Sequence, residues 1–245
     1  MTTRVRQWAV AAGIGAGVFL AAGAAFRLRF QDAGFAPDEA ALRALVLVFM
    51  LELLHLPLAS AALLECPGAG VRGLLGASAG SLMAGLVFAG AGGVPLVGVV
   101  WAQALVTVFA LWMLAWGRIP LALGCRAGAA RAATALLTLG LVSVPFWTQA
   151  ALAGLPPSGW KTAAHHVLTW LSPLVLLTQA FAEIDLGTVG RMYEILQGPV
   201  LPYPPHIGAA VLAYGVLAGL GVLVSGARND DAARGRTASA PAPPA

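Results

Sequence analysis

The sequence is poor in charged residues. Lys, Arg, Asp and Glu together make up 10% of the 245 residues, whereas hydrophobic residues make up 59%. A soluble domain carries roughly 25% charged residues, so this chain has too few charges to cover a globular surface. The mean hydropathy of +0.84 points in the same direction. The composition therefore predicts an integral membrane protein.

The chain also lacks the alternation of apolar and polar residues that is typical of barrel strands. Only helices and closed barrels span a bilayer, because every backbone polar group must be paired inside the protein. Barrel strands alternate in segments of about ten residues, whereas the apolar runs here are continuous and rich in Ala, Leu, Val and Gly. We therefore expect an all-α integral membrane protein.

Cysteines and the familiar catalytic motifs are nearly absent. The two cysteines, Cys66 and Cys125, form no CxxC pair and cannot make a disulfide framework. We interpret both as small apolar residues near the membrane edges. The sequence contains no paired-cysteine zinc motif or Walker A motif. No catalytic residue, cofactor or metal is predicted, and any energy from ATP must come from a separate subunit.

Lysine is rare, and the basic residues do not form a nucleic-acid surface. The net charge is +4, but the 14 Lys and Arg residues, of which only Lys161 is a lysine, are scattered at the ends of apolar runs. A nucleic-acid interface would cluster them with aromatic residues, so this class of partner is excluded. Arginines at loop edges instead follow the positive-inside rule for membrane proteins.

Long apolar runs are what the sequence does contain. A spanning helix needs about 20 apolar residues. The first run has about 19, longer than the core of a signal peptide, so we expect it to remain as a span. Residues 1–227 are predicted to form one transmembrane domain, followed by a Pro/Ala-rich cytoplasmic tail, 228–245, that we expect to be disordered. The six predicted spans are 8–26, 44–64, 74–91, 94–116, 132–153 and 207–224.

The segment 165–197 is predicted to be re-entrant or interfacial. Its apolar run, 167–182, has about 16 residues, which is short for a full span, and it contains Ser172 and Pro173. If this run does not cross, nine Lys and Arg residues lie on the cytoplasmic side and five outside; if it crosses, each side has seven. The positive-inside rule therefore favours six crossings with both termini cytoplasmic.

Glu52 and His55 are polar residues inside the second predicted span. Their ExxH spacing puts both on one face of a helix, as in carboxylate metalloproteins of the four-helix type. A carboxylate inside a membrane is costly and is a functional candidate by default. We interpret the pair as an intramembrane polar site with a role in transport or proton movement, or as a buried pair that contacts another helix.

The order of these features resembles that of the ABC-2 type transporter permeases, which are six-span subunits without an ATPase domain of their own. LLECPGAGVRGLL (63–75) is similar to the turn after the family's second span, and GASAGSLMAGLVFAG to its third span. IPLALGCRAGAARAATALLTLGLVSVPFW is similar to its basic turn and fifth span, and LSPLVLLTQAF (171–181) to its re-entrant segment. The glutamate-rich turn of the family is reduced here to Glu65.

The resemblance implies a permease of the cell (inner) membrane that works with an ABC-type ATP-binding subunit and pairs with itself or a second permease. Two turns would contact the ATPase: one with Glu65, Gly68, Gly70 and Arg72, the other with Arg126 and Arg131. A path with few charges suits lipid-like or amphipathic cargo better than a sugar or an ion.

Two other functions remain open at this stage. The many small residues suit a membrane assembly or anchor subunit that transports nothing. A membrane enzyme could use Glu52 and His55, with His165 or His166, to hold a metal ion.

Overall fold

Helices joined by short turns make up the residues that the computed structural model describes, which are 3–65, 67–144, 159–181 and 207–238. Within these ranges there is no strand, which confirms the predicted all-α class. The eight helices found there are α1 (Thr3–Asp32), α2 (Pro37–Ala62), α3 (Pro67–Gly92), α4 (Leu96–Ala122), α5 (Ala127–Val142), α6 (Gly159–Leu171), α7 (Pro173–Ala180) and α8 (Ile207–Ala238).

Five of these helices are long and apolar enough to cross a membrane, so the chain is a multi-pass membrane protein. The qualifying segments are Arg6–Asp32, Pro37–Ala62, Gly68–Gly92, Leu96–Ala122 and Ile207–Val224. Helix α5 is apolar but has only 16 residues. The predicted span 132–153 coincides with α5 only as far as Val142, and its second half, 145–153, lies outside the described residues.

Most helices extend beyond the predicted spans at their ends. Helix α2 begins with proline in its first turn, followed by Asp38 and Glu39, and both residue types suit a helix N-terminus. Helix α3 also begins at a proline, Pro67. Gly68, Gly70 and Arg72, which were expected in a turn, are therefore helical.

The C-terminal segment also differs from the prediction. Residues 228–238, expected to be disordered, continue α8 as helix, and 239–245 lie outside the described residues. This part of the chain is rich in Ala and Arg, which are among the strongest helix formers.

Helix α4 forms the centre of the bundle. It packs against α2, α3, α5, α7 and α8, and Val99, Leu105, Phe109 and Met113 along it are fully buried. No charged residue precedes Arg118 in this helix. A helix that is apolar on all sides fits a position surrounded by other helices.

Helices α1 and α3 run in parallel and touch through small residues. A Cβ atom at Gly80 would overlap the carbonyl oxygen of Ala12, and one at Gly76 would lie 2.9 Å from the carbonyl oxygen of Trp8. Further along, a Cβ at Gly23 would lie 3.1 Å from the ring of Phe88. The GxxxG spacing of Gly76 and Gly80 predicts such a close approach, and α1 is the neighbour.

Helix α8 runs parallel to α4 and is joined to it by aromatic residues. The Tyr214 ring lies 5.6 Å from that of Phe109 and 5.0 Å from that of Trp112. One turn later, Nε1 of Trp116 donates a hydrogen bond to the carbonyl oxygen of Leu217, at 2.9 Å. Since both residue numbers rise together, α4 and α8 end on the same side of the bundle.

Helices α6 and α7 meet at a break at Ser172. The carbonyl oxygen of Leu171, the last residue of α6, accepts a hydrogen bond of 2.8 Å from the Tyr214 hydroxyl. At the other end of α7, the carbonyl oxygen of Ala180 lies against Gly98 in the first turn of α4. Helix α7 therefore extends only from the neighbourhood of Tyr214 to the first turn of α4. Residues 182–206, which include most of the predicted interfacial part, lie outside the described residues.

Candidate intramembrane polar site

The first group of candidate residues lies on α2, facing α1, α3 and α4. Glu52 is half-buried and His55 is exposed. Both line a cleft of about 320 Å³ formed by α1, α2 and α3. The structure thus brings the ExxH pair to one surface, as the i, i+3 spacing requires.

Two polar side chains from other helices face the Glu52 carboxyl group. They are Ser81 of α3 and Gln103 of α4, which are 1% and 3% exposed. Within the described part of the chain, Oε2 of Glu52 and both amide atoms of Gln103 are buried without a hydrogen-bond partner. Buried polar groups are normally paired, so this cluster has unused capacity to bind a donor or an acceptor.

His55 is held by its own helix. Its Nδ1 lies 3.2 Å from the carbonyl oxygen of Leu51. In the tautomer in which Nδ1 donates to this carbonyl oxygen, Nε2 of the neutral ring is an acceptor. Glu52 and His55 then each contribute an acceptor to the lining of the cleft.

The rest of the cleft is apolar. It is formed by aliphatic and aromatic side chains and by small residues, among them Ile14, Val18, Phe19, Val48, Leu51 and Leu56. No lysine or arginine is among the described residues that line it. Ile14 and Val18 are 62% and 64% exposed, so the cleft opens between α1 and α2 at the outer surface of the bundle.

The two charged turns lie together at one end of the bundle. Glu65, in the turn between α2 and α3, makes an ion pair with Arg131 in the first turn of α5. Arg126 is the N-cap residue of α5. The predicted turns are thus in direct contact, although the sequence gives no indication of this particular pair, whose members are 66 residues apart.

The other residues of the first turn have packing roles. A Cβ atom at Gly70 would lie 3.2 Å from Cβ of Leu63, so this glycine lets α3 approach the end of α2. Arg72 lies over Gly68, and among the described residues its buried Nε has no hydrogen-bond partner.

Ser172 and Pro173 form the break between α6 and α7. Ser172 is 0% exposed, and no described residue pairs with its hydroxyl group. Pro173 is the first residue of α7, where proline is well tolerated. The predicted position of the Ser-Pro element therefore coincides with a buried helix break.

A metal centre finds no further ligands in the described ranges. No group of three or more His, Cys, Asp or Glu residues comes together there. His165 and His166 belong to α6, and His206 lies outside the described residues.

Sequence reasoning identified Glu52 and His55 but missed Gln103 as a partner. Gln103 is the only amide residue in α4, and a lone amide in an apolar span was the signal that could have identified it. Its position beside Glu52 follows from the packing of α4 against α2, which no local sequence pattern indicates.

Comparison with known proteins adds no further assignment: no family model, curated protein or solved structure matches the chain.

Proposed function

We propose that this chain is the membrane-spanning permease subunit of an ABC-type transporter whose ATPase is a separate protein. The observation that carries the proposal is the contact between Glu65 and Arg131. It joins the α2–α3 turn to the start of α5 at one end of the bundle, at the two positions where the resemblance to ABC-2 permeases expects the ATPase to bind.

We place this end of the bundle at the cytoplasmic face of the cell membrane. Helices α1 and α3 are parallel, as are α4 and α8, so the start of α1 and the end of the apolar part of α8 lie on the same side as Glu65. The basic residues support this orientation, since cytoplasmic loops carry an excess of Lys and Arg. At this end lie Arg6, Arg72, Arg118, Arg126 and Arg131.

The ion pair would transmit force between helix pairs. A partner bound at Glu65 would also displace Arg131, and through it the α4–α5 turn. Rigid-body movement of packed helices is a common mode of switching. Glu65 and Arg131 are 54% and 44% exposed, so their contribution to stability is small, about 1 kcal/mol or less, and both remain accessible to a partner.

Helices α6 and α7 form the re-entrant element in this proposal. Val167 of α6 lines a cavity of about 370 Å³ with Ala209 and Ala213 of α8, and Leu171 contacts Tyr214. Helix α6 thus descends from the end of α8 where Ile207 lies, and α7 returns to the start of α4. Both helices would enter and leave by the external face, which gives six crossings and cytoplasmic termini.

Co-purification tests the ATPase partner. We expect the tagged full-length chain, extracted in a mild detergent from the cells that produce it, to bring down a stoichiometric protein with a Walker A motif. Charge reversal at the joined turns, Glu65→Lys or Arg126→Glu, should reduce its recovery at least about tenfold, because complementary charges govern docking at such surfaces. Mass spectrometry and ATP hydrolysis are the readouts.

The matched control is Asp38→Asn, which removes an exposed charge at the opposite end of the bundle and should leave recovery unchanged. A wild-type preparation that contains no ATP-binding protein would contradict the proposal and favour a membrane assembly or anchor subunit.

Cysteine labelling tests the orientation. Cys125 is free and exposed, in the turn between α4 and α5. In a Cys66→Ser background, we expect a membrane-impermeant maleimide to label Cys125 in inside-out vesicles and not in intact cells. A cysteine at Ala33, an exposed residue after α1, in a background lacking both native cysteines, should show the reverse. Labelling of Cys125 from outside intact cells would show that the orientation is inverted.

A further inference from the structure

We propose that the cleft between α1, α2 and α3 binds a lipophilic ammonium ion, with Glu52 as its counter-ion. Binding is inferred from the cleft alone. That the bound molecule is the cargo of a transporter rests on the proposed function.

One oxygen of the Glu52 carboxyl group lacks a close donor. Oε2 is buried, and no described group lies within hydrogen-bond distance of it, although Ser81 and Gln103 face the carboxyl group. A buried polar group without a partner costs free energy, and an ionisable group at membrane depth is retained where it contacts a substrate, an ion or another polar group. A ligand with N–H donors and a positive charge would supply a hydrogen bond to Oε2 and a counter-charge for the carboxylate.

The described polar groups of the cleft favour a cation. They are the Glu52 carboxyl group, the Ser81 hydroxyl group and the ring of His55, whose Nε2 is an acceptor in the tautomer in which Nδ1 donates to the carbonyl oxygen of Leu51. Among the described residues that line the cleft there is no lysine or arginine. A site built from acceptors discriminates against anions, because like charges or lone pairs would face each other without compensation.

The cleft is small and opens toward lipid. A volume of about 320 Å³ is at the small end of ligand pockets, enough for a compact head with one alkyl chain or ring. The walls beyond Glu52 are apolar, and the exposed side chains of Ile14 and Val18 put the opening at the lipid-facing surface. The ligand would therefore enter sideways from the bilayer, with its head toward Glu52.

The competing interpretation is a purely structural triad. Ser81 and Gln103 face Glu52 from α3 and α4, and could hold the three helices together without any ligand. Such a triad would not prefer an ammonium group to a hydroxyl group on the same alkyl chain, so the two interpretations give different results with a matched pair of probes.

The probes are a primary octylammonium and the corresponding octanol, each carrying a diazirine at the end of the chain. The full-length protein in phosphatidylcholine nanodiscs is irradiated with each probe, and labelled peptides are identified by mass spectrometry. We expect the ammonium to label the segments 14–22 and 48–59. Glu52→Gln should lower this labelling at least about tenfold, since losing one member of a buried charge pair is costly, while labelling by the alcohol should not change.

Two further variants make the result specific. Glu52→Asp keeps the charge and should retain the preference for the ammonium probe, whereas Asp38→Asn, at an exposed carboxylate in the first turn of the same helix, should behave as the wild type. If Glu52→Gln does not fold, competition by unlabelled octylammonium against the wild type, with octanol as control, gives the same comparison. Equal labelling of wild type and Glu52→Gln by the ammonium, or equal competition by the alcohol, would overturn the proposal.

This experiment needs neither ATP nor an ATPase. Failure to bind ammonium would therefore leave the permease proposal intact, and absence of an ATP-binding partner would leave the binding site intact.

Discussion

Replacing Tyr214 with alanine is expected to destabilise the protein by about 3–5 kcal/mol, as for other large aromatic side chains removed from a core. Tyr214 is 3% exposed and packs between Phe109 and Trp112 of α4. Its hydroxyl group also holds the end of α6. Because 1 kcal/mol corresponds to about 2–4 °C for a chain of this size, the melting temperature in detergent should fall by about 6–20 °C.

A conservative variant separates packing from hydrogen bonding. Tyr214→Phe keeps the ring and removes only the donor to Leu171, so we expect a loss of about 1 kcal/mol. Val216→Ala, at a residue on the same helix that is 56% exposed, serves as the control for a change on the lipid side. Tryptophan fluorescence during thermal unfolding reports all three. A Tyr214→Ala protein as stable as Val216→Ala would show that α8 does not pack on α4 through this residue.

Gly80→Ala is expected to destabilise the protein by about 1–3 kcal/mol, and Gly80→Leu by more, because additional atoms must be accommodated in a tightly packed contact. The new Cβ would overlap the Ala12 carbonyl oxygen, which belongs to the backbone of α1 and cannot turn aside as a flexible side chain could. The variant must therefore separate α1 from α3.

Gly90 provides a control in the same helix. It is exposed, and a Cβ there would meet no atom within 4 Å. Alanine favours helix over glycine by up to about 1 kcal/mol, so Gly90→Ala should leave the melting temperature unchanged or raise it. The opposite signs expected at the two glycines distinguish contact between helices from helix propensity. Equal stability of Gly80→Ala and Gly90→Ala would show that α1 and α3 do not pack closely at Gly80.

Features set by local chemistry were predictable from the sequence. Apolar runs located the helices, and the combination of Pro37 with Asp38 and Glu39 located the start of α2, because proline and acidic residues both suit a helix N-terminus. The run 207–224 matches the apolar part of α8, Ile207–Val224.

Helix ends were predicted less well, since a hydropathy pattern records where apolar residues stop and a helix can continue beyond them. Arg27 and Arg29 end the predicted first span, yet α1 continues to Asp32. Arginine is a good helix former and can extend its charged end toward water, so it limits the apolar run without ending the helix.

The candidate site also combines a residue that the sequence identifies with contacts that it does not. The cost of burying a carboxyl group made Glu52 a candidate, but its partners depend on which helices surround α2. Ser81 and Gln103 are 29 and 51 positions away along the chain, and no local pattern connects them with Glu52. The contact of Glu65 with Arg131 likewise depends on how α2 and α5 pack.

The central position of α4 has a consequence for biosynthesis. Helices enter the bilayer in the order of translation, so α1, α2 and α3 are inserted before α4, against which α2 and α3 pack. Until α4 follows, Glu52 has Ser81 but not Gln103 beside it, and the inward surfaces of α2 and α3 face lipid. We therefore expect the nascent three-helix intermediate, in which the α4 side of Glu52 is still uncovered, to be the stage that a membrane chaperone or quality-control protease recognises, and the insertion of α4 to cover that side.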